Sequence, residues 1–534
     1  MGRIRTFYGL WDPNAHLEEI VGENLTIINT DGVGIGYTSG TVTVKPDDAG
    51  NGGNLYVTAS SNGIGSEESS APIEILANNV TITSTGTNGI FTGVGGTNNG
   101  VVIGSISTEE NPNAEDRPVN SLTINAHGQG IDNKHGSVAI YGSTDSTITI
   151  CSEGYNGEES EDQSAVNTGR NKNNTITDST TYIKGGTIEL SSDGGSGTLT
   201  RTDKSSTTII AHDSISISSN HLHPENSDPD SGIYVYKTIE NAGINNMAGA
   251  TTVTTGTGLS ITSSQSGILA QSGTVNVTSN GGKNVIQAAL ETVDATAAID
   301  AADQDDSEGT ADPQEPRQYG TKHAIKAAGG AQVKVAALNG NNELYGVIYA
   351  KNEGTDVTVE ANSAKNVTEK GSGSNYIYSA AHGSTDEVGN REKVVAALYA
   401  QDKGQITITA GEGGINYIET YYPELESAEE TQDETEDPGS ERTIWAQRGG
   451  QIDITGTTII RSSNAENFYE NGYATNSRGI AITAGSEKIT NTGTEDSEEK
   501  IDEVSDENRS KVNLTYGGGA SIKINDKLHP NDYG

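Results

Sequence analysis

The chain has 534 residues, with 32 Lys+Arg against 73 Asp+Glu and a formal net charge of −41. So acidic a surface repels phosphate, which argues against nucleic acid and anionic membranes as partners. The lone Cys151 excludes an internal disulfide, and no apolar run reaches the roughly 18 residues that would encode a spanning helix, so direct membrane insertion of this segment is not expected.

The first residues, 1–24, read as a cap. Asp12 fits an N-cap, Pro13 the first helical turn, and Leu17, Ile20 and Val21 share one face before Gly22 ends the turn. A short amphipathic helix there would cover the open edge of the following structure. Met1-Gly2-Arg3 is not followed by an apolar stretch, so no signal peptide is expected at this start.

From residue 25 the pattern changes to period two. Leu25-Thr26-Ile27, Val42-Thr43-Val44, Ile73-Glu74-Ile75, Val80-Thr81-Ile82 and Leu122-Thr123-Ile124 alternate apolar and polar. The alternation resumes at Ile148-Thr149-Ile150, Ile215-Ser216-Ile217, Val275-Asn276-Val277, Val357-Thr358-Val359, Ile406-Thr407-Ile408 and Ile452-Asp453-Ile454. Alternation of β-branched residues between Gly, Asn and Ser boundaries is a strand signal. The hydrophobic fraction is only 32%, but such regular placement argues for a folded chain over a disordered one.

The alternating runs belong to a repeat. Gly34-Ile35, Gly63-Ile64, Gly89-Ile90 and Gly130-Ile131 open its early copies. Later copies begin at Gly267, Ala324, Val347, Ala397 and Thr443, each followed by a Gly-containing corner and an alternating strand. A fixed corner with a return of variable length describes one coil of a right-handed parallel β-helix, stable only when stacked on its neighbours. The predicted fold is therefore all-β: a solenoid with acidic loop insertions and a short N-terminal capping segment. One β-helix is expected over 25–525, with insertions near 153–174, 220–231, 296–320, 416–442 and 491–510, and a tail at 526–534.

The unit Ile444-Trp-Ala-Gln-Arg-Gly-Gly-Gln-Ile-Asp-Ile454 resembles the passenger domains of monomeric bacterial autotransporters, which share the pectin-lyase-like β-helix. The near-absence of Cys is also similar. The resemblance covers roughly residues 25–525 and rests on a repeat pattern, not on a catalytic signature. It implies display at a bacterial surface, anchored in the outer membrane by a barrel that lies outside this chain. It further implies adhesion, biofilm formation or self-association with a glycan, a protein or another copy as partner, and less often enzymatic activity.

Three runs hold much of the acid. Residues 296–316 carry seven acids including Asp303 and Asp305, residues 424–441 carry nine, and residues 495–508 carry eight. They interrupt the repeat and read as solvated insertions. Clustered carboxylates also supply hard oxygen ligands, which makes Ca²⁺ the one cofactor to consider, without a defined ligand set.

The middle residue of the I-x-A element points outward when its neighbours point inward. In the later coils that residue is aromatic: Tyr349, Tyr378, Tyr399 and Trp445. Earlier coils place Phe91, Asp132, Tyr234, Leu269, Gln287 and Lys326 there. The expectation is one aromatic column, acting either as a ladder that stiffens the sheet or as a ligand-binding stripe.

No nucleophile elbow or serine-protease motif is present. Asn29-Thr30-Asp31-Gly32 resembles a polygalacturonase motif, but the His and the Arg-x-Lys partners of that family do not follow. His221 and His223 sit near Glu225 and Asp228, a setting typical of an exposed loop. The chain is accordingly expected to be a non-enzymatic adhesin or self-associating surface protein. The alternative is a polysaccharide lyase or glycoside hydrolase, which would need carboxylates, or a carboxylate with Arg or Lys, on adjacent coils of one face.

Thermal melts with calcium and with a chelator separate the two readings of the acid runs. Solvated insertions predict coincident melting curves, whereas a calcium-dependent rise in melting temperature would establish cation capture.

Overall fold

The computed structural model describes residues 4–8, 24–36, 40–44, 53–66, 72–93, 100–106, 117–153, 163–169, 171–172, 175–176, 178–220, 241–293, 317–362, 373–380, 383–385, 391–393, 396–421, 442–462, 480–484, 509–515 and 522–524. Every described element is a strand. The chain divides into two compact units, Met1–Gly282 and Lys283–Gly534. In each unit the chain winds through successive parallel strands, one on each of three faces per coil, here called the first, second and third sheets. The parallel β-helix read from the repeat is the observed architecture.

In the first unit, Asn24–Asn29, Asn54–Ala59, Asn79–Ser84 and Val119–Ala126 stack in register on the first sheet. Their alternation puts Leu25, Leu55, Val80 and Leu122 in one inward column, and Ile27, Val57, Ile82 and Ile124 in the next. All of these side chains are buried, each worth about 1.5–3 kcal/mol relative to exposure. The second sheet contains the short strands Ile64–Ser66, Ile90–Thr92, Ile131–Asn133 and Val166–Thr168. The long strand Gly136–Ser152 serves two faces, pairing through 136–141 on the third sheet and through 147–152 on the first.

The Gly-Ile corners have a steric cause. A Cβ on Gly89 would lie 2.6 Å from the Gly130 carbonyl oxygen and would collide with Ile124. The coil above leaves no room for any side chain at this step.

The second unit repeats the plan. Its first sheet contains Asn284–Ala288, Asn342–Tyr345, Asn375–Ala380, Ile415–Tyr421 and Thr457–Ser462. Its second sheet contains His323–Ala327, Val347–Lys351, Leu398–Gln401 and Arg442–Gln447. Its third contains Gln332–Ala337, Asp356–Ala361, Gln405–Thr409 and Gln451–Thr455.

Polar residues inside the coils form ladders. In the second unit, buried Asn284, Asn342, Asn375 and Asn416 occupy successive coils. Each amide donates to the next asparagine's oxygen, at 2.8, 2.8 and 2.9 Å. Each also donates to a carbonyl on the turn from the third sheet: Ala336, Glu360, Thr409 and Thr455, at 2.8–2.9 Å. The first unit uses hydroxyls instead. Thr168 bonds Thr181 and Thr207 at 2.7 and 2.9 Å, and Thr200 continues to Thr207 and Thr251 at 2.8 and 2.9 Å. Burying a polar group is costly unless it is paired, and these ladders pair their amides and hydroxyls with the neighbouring coil and the adjoining turn.

Several expected boundaries shift. Ile4–Tyr8, placed in the cap by the sequence, is a strand parallel to Asn24–Asn29; the helix expected over 12–22 lies outside the described residues, as does the tail at 526–534. Part of each of three expected insertions is strand. Val166–Thr168 is fully buried between Ile131–Asn133 and Thr198–Thr200. Arg317–Gly320 pairs antiparallel with Leu290–Val293, so the strands on either side of the 296–316 run form a ribbon. Ile415–Tyr421 is strand because Asn416, Ile418 and Thr420 alternate inward, and its one acid, Glu419, is itself buried. The acid runs at 296–316, 424–441 and 495–508 lie outside the described residues, and the Ca²⁺ expectation lies with them.

Asn375 makes three side-chain bonds along its ladder. Asn375→Ala should destabilise the second unit by about 2–4 kcal/mol, because it strands buried partners on both neighbouring coils. Urea unfolding measures this; a loss below about 0.5 kcal/mol would show that the ladder does not hold the coils.

Candidate functional site

The expected aromatic column is two structures. Tyr349, Tyr399 and Trp445 occupy one register on the second sheet of the second unit. Their rings stack face to face, at 5.0 Å and 25° for Tyr349–Tyr399 and at 4.7 Å and 15° for Tyr399–Trp445. The coil before places Lys326 in this register, and His323, three residues earlier, tilts against Tyr349 at 5.7 Å and 36°. The Tyr349 hydroxyl donates to Gln401 Oε1 at 2.6 Å, and the Tyr399 hydroxyl to Gln447 Oε1 at 2.8 Å. Ring faces and hydroxyls are thus engaged between coils, and mainly ring edges remain for a partner. Stacked rings and hydroxyls bonded to the next coil are the geometry of a ladder that stiffens the sheet.

Tyr378 does not belong to it. It lies on the first sheet, paired with Tyr345 on one side and Glu419 on the other. The resemblance of Ile377-Tyr378-Ser379 to the I-x-A element misassigned it, and Gln287 was misassigned for the same reason. In the first unit, Phe91, Asp132 and Leu269 do occupy the outward register of the second sheet; Tyr234 lies outside the described residues.

Around Tyr378 the outer face of the first sheet is rich in tyrosine. One register runs Gln287, Tyr345, Tyr378, Glu419 and Arg461. The adjacent register runs Val285, Glu343, Tyr376, Tyr417 and Ile459. Tyr378 stacks on Tyr345 at 5.4 Å, tilts against Tyr417 at 5.7 Å and meets Tyr319 edge-on at 6.2 Å. Tyr417 and Glu419 are buried although they point away from the coil interior, and the Tyr417 hydroxyl donates to Glu419 Oε2 at 2.9 Å. Arg461 Nε lies 3.9 Å from Glu419 Oε1. Tyr345, Tyr376 and Tyr378 stay half-exposed, beside Glu343, which pairs with Lys283 at 3.0 Å. The sequence carries a signal for this patch that the I-x-A comparison hid. Asn284-Val-Ile-Gln287, Asn342-Glu-Leu-Tyr345, Asn375-Tyr-Ile-Tyr378 and Asn416-Tyr-Ile-Glu419 are one repeated element, with Asn inward and, in the last three copies, outward positions that are aromatic or acidic.

Among the described residues, a carboxylate meets Arg or Lys of a neighbouring coil at several places, as in Glu419 with Arg461, Asp402 with Arg448 and Glu360 with Lys334. Another polar group gathers in the first unit: Asp132, Lys134 two residues beyond it, Asn167 on the next coil and Arg201 on the coil after that. Asp132 is 2% exposed, and both its oxygens are occupied by Asn88, Asn167 and Lys134. This cluster is closed to a polysaccharide. Asn29 and Asp31 of the polygalacturonase-like motif form a turn: Asn29 Nδ2 donates to the Val33 carbonyl at 2.8 Å, and Asn29 Oδ1 accepts from the Asp31 amide at 3.1 Å. His221 and His223 lie outside the described residues. Among the described residues no group of His, Cys, Asp and Glu is placed to hold a metal ion. Cys151 accepts a bond from Ser191 Oγ at 3.2 Å.

No protein family, curated protein or solved structure matches the chain.

Burial, aided by the charge of Glu343, pushes the Tyr345 hydroxyl from 10.0 up to about 12. Below pH 10 the ring is neutral folded or unfolded. As pH climbs through the 10-to-12 window the unfolded chain ionises first, so the stability of the buried neutral ring is lost. Urea midpoints across that window should therefore fall more steeply for the wild type than for Tyr345→Phe. Parallel slopes would mean that Tyr345 ionises as freely folded as unfolded.

Proposed function

We propose that this chain is a non-enzymatic attachment protein displayed at a bacterial surface, and that it grips a glycan or protein partner through the tyrosine patch of its second unit. One observation carries this reading: Tyr345, Tyr376 and Tyr378 stand half-exposed on one outer sheet face beside Glu343. Tyrosine offers a large apolar face with a polar tip at low entropic cost, which is why it dominates binding hot spots. A neighbouring carboxylate accepts hydroxyl or amide hydrogens, so together they suit a sugar ring or a polar peptide. The patch is held in place from beneath by the asparagine ladder on the same strands, which limits the ordering cost of binding. The autotransporter resemblance supplies the surface setting and the barrel anchor; repeated weak contacts on many displayed copies would sum by avidity.

The test uses the two aromatic arrangements against each other. Tyr376→Ala with Tyr378→Ala should weaken attachment of protein-coated beads to target cells at least tenfold, with folding retained. Tyr399→Ala should lower the melting temperature and leave attachment unchanged. Attachment that survives the first pair, or fails with the second variant alone, would overturn the assignment.

A further inference from the structure

In the first unit, the outer register of the second sheet runs Phe91, Asp132, Asn167. Asp132 bridges an amine and a carboxamide. Its Oδ2 lies 3.2 Å from Lys134 Nζ, and its Oδ1 accepts from Asn167 Nδ2 at 2.9 Å. Asn88 Nδ2, 3.4 Å from Oδ2, steadies the carboxylate from the coil below. Asn167 has a second partner: Arg201 Nε donates to its Oδ1 at 2.9 Å. The group is withdrawn from water. Asp132 and Asn167 are each 2% exposed, the Lys134 side chain is 15% exposed, and its ammonium lies over the Phe91 ring at 4.9 Å.

We propose that this cluster forms an amide bond between Lys134 Nζ and Asn167 Cγ, stapling two successive coils. The parts match the reaction. Asp132 Oδ2 takes a proton from Lys134, which frees a nucleophilic amine. The amine attacks Cγ, and the negative charge that develops on Asn167 Oδ1 meets the Arg201 guanidinium already bonded there. Asp132, on its other oxygen, hands the proton to Nδ2. The Cγ–Nδ2 bond breaks and the Nζ–Cγ bond remains. The second amine proton leaves with the departing nitrogen, so lysine ammonium plus carboxamide become amide plus ammonium. Asp132 ends as the carboxylate it began as, and no oxidant or reductant is consumed. Two reactants fixed on one carboxylate, away from water, gain the large effective concentration that a slow amide exchange requires. A chain with one cysteine would thereby acquire a covalent cross-link between coils without a disulfide.

Mass spectrometry of the denatured full chain decides this. Cleavage after glutamate separates residues 116–153, which contain Lys134, from residues 162–189, which contain Asn167. The expected result is a branched species joining these two peptides, lighter than their sum by one ammonia, and resistance of the Lys134 site to trypsin. Lys134→Arg retains the ion pair but has no amine nucleophile, and should return two separate peptides of full mass; Asp132→Asn should do the same by removing the proton shuttle. Two separate full-mass peptides from the wild type would overturn the proposal, as would an ammonia loss located at any other pair, Lys134 with Asn88 included.

Discussion

Parallel stacking imposes one constraint from which most of this molecule follows. Each strand lies about 4.8 Å from its copy in the next coil, in register, so equivalent side chains must meet. An inward isoleucine then finds another isoleucine. An inward asparagine finds another asparagine, and its second hydrogen is free for the turn behind it, as in Asn284, Asn342, Asn375 and Asn416. A slip of one residue would turn every such column inside out, placing amides in the open and isoleucines in water. The ladders therefore contribute specificity of register as well as stability.

The same constraint acts on the outer faces, with two different results. Where aromatic residues recur on consecutive coils of the second sheet, their rings stack face to face and Gln401 and Gln447 take up the hydroxyls. Where tyrosines alternate with acids and an arginine across two registers of the first sheet, the rings meet in stacked, tilted and edge-on pairs, and part of their surface stays open. In the first unit a third result appears: Asp132 draws Lys134, Asn167 and Asn88 together into a closed polar group.

Much of the fold was legible in the sequence because period-two alternation and the Gly-Ile corner are local signals with single causes. Ile124 beside Gly89 leaves the corner no alternative to glycine. The aromatic site was only half legible. Tyr349, Tyr399 and Trp445 sit in one repeated element, and their alignment by sequence matches their register. Tyr378 sits in a similar local string but follows an inward asparagine, and that residue, three positions earlier, assigns it to another sheet. Tyr417 and Glu419 were hidden further, since a tyrosine- and acid-rich stretch reads as loop until Asn416, Ile418 and Thr420 are seen to carry the alternation. Lys134, Asn167 and Arg201 were illegible because only the stacking of coils with unequal returns brings them to Asp132.

Amide hydrogen exchange on Asn342→Ala compared with wild type tests the central claim most directly, since that substitution breaks the ladder in mid-course. If inward polar ladders hold neighbouring coils in register, protection should drop together in Asn284–Ala288, Asn342–Tyr345 and Asn375–Ala380, because opening one rung leaves its partners unsatisfied. Loss of protection confined to Asn342–Tyr345, with both neighbouring strands unchanged, would contradict the account.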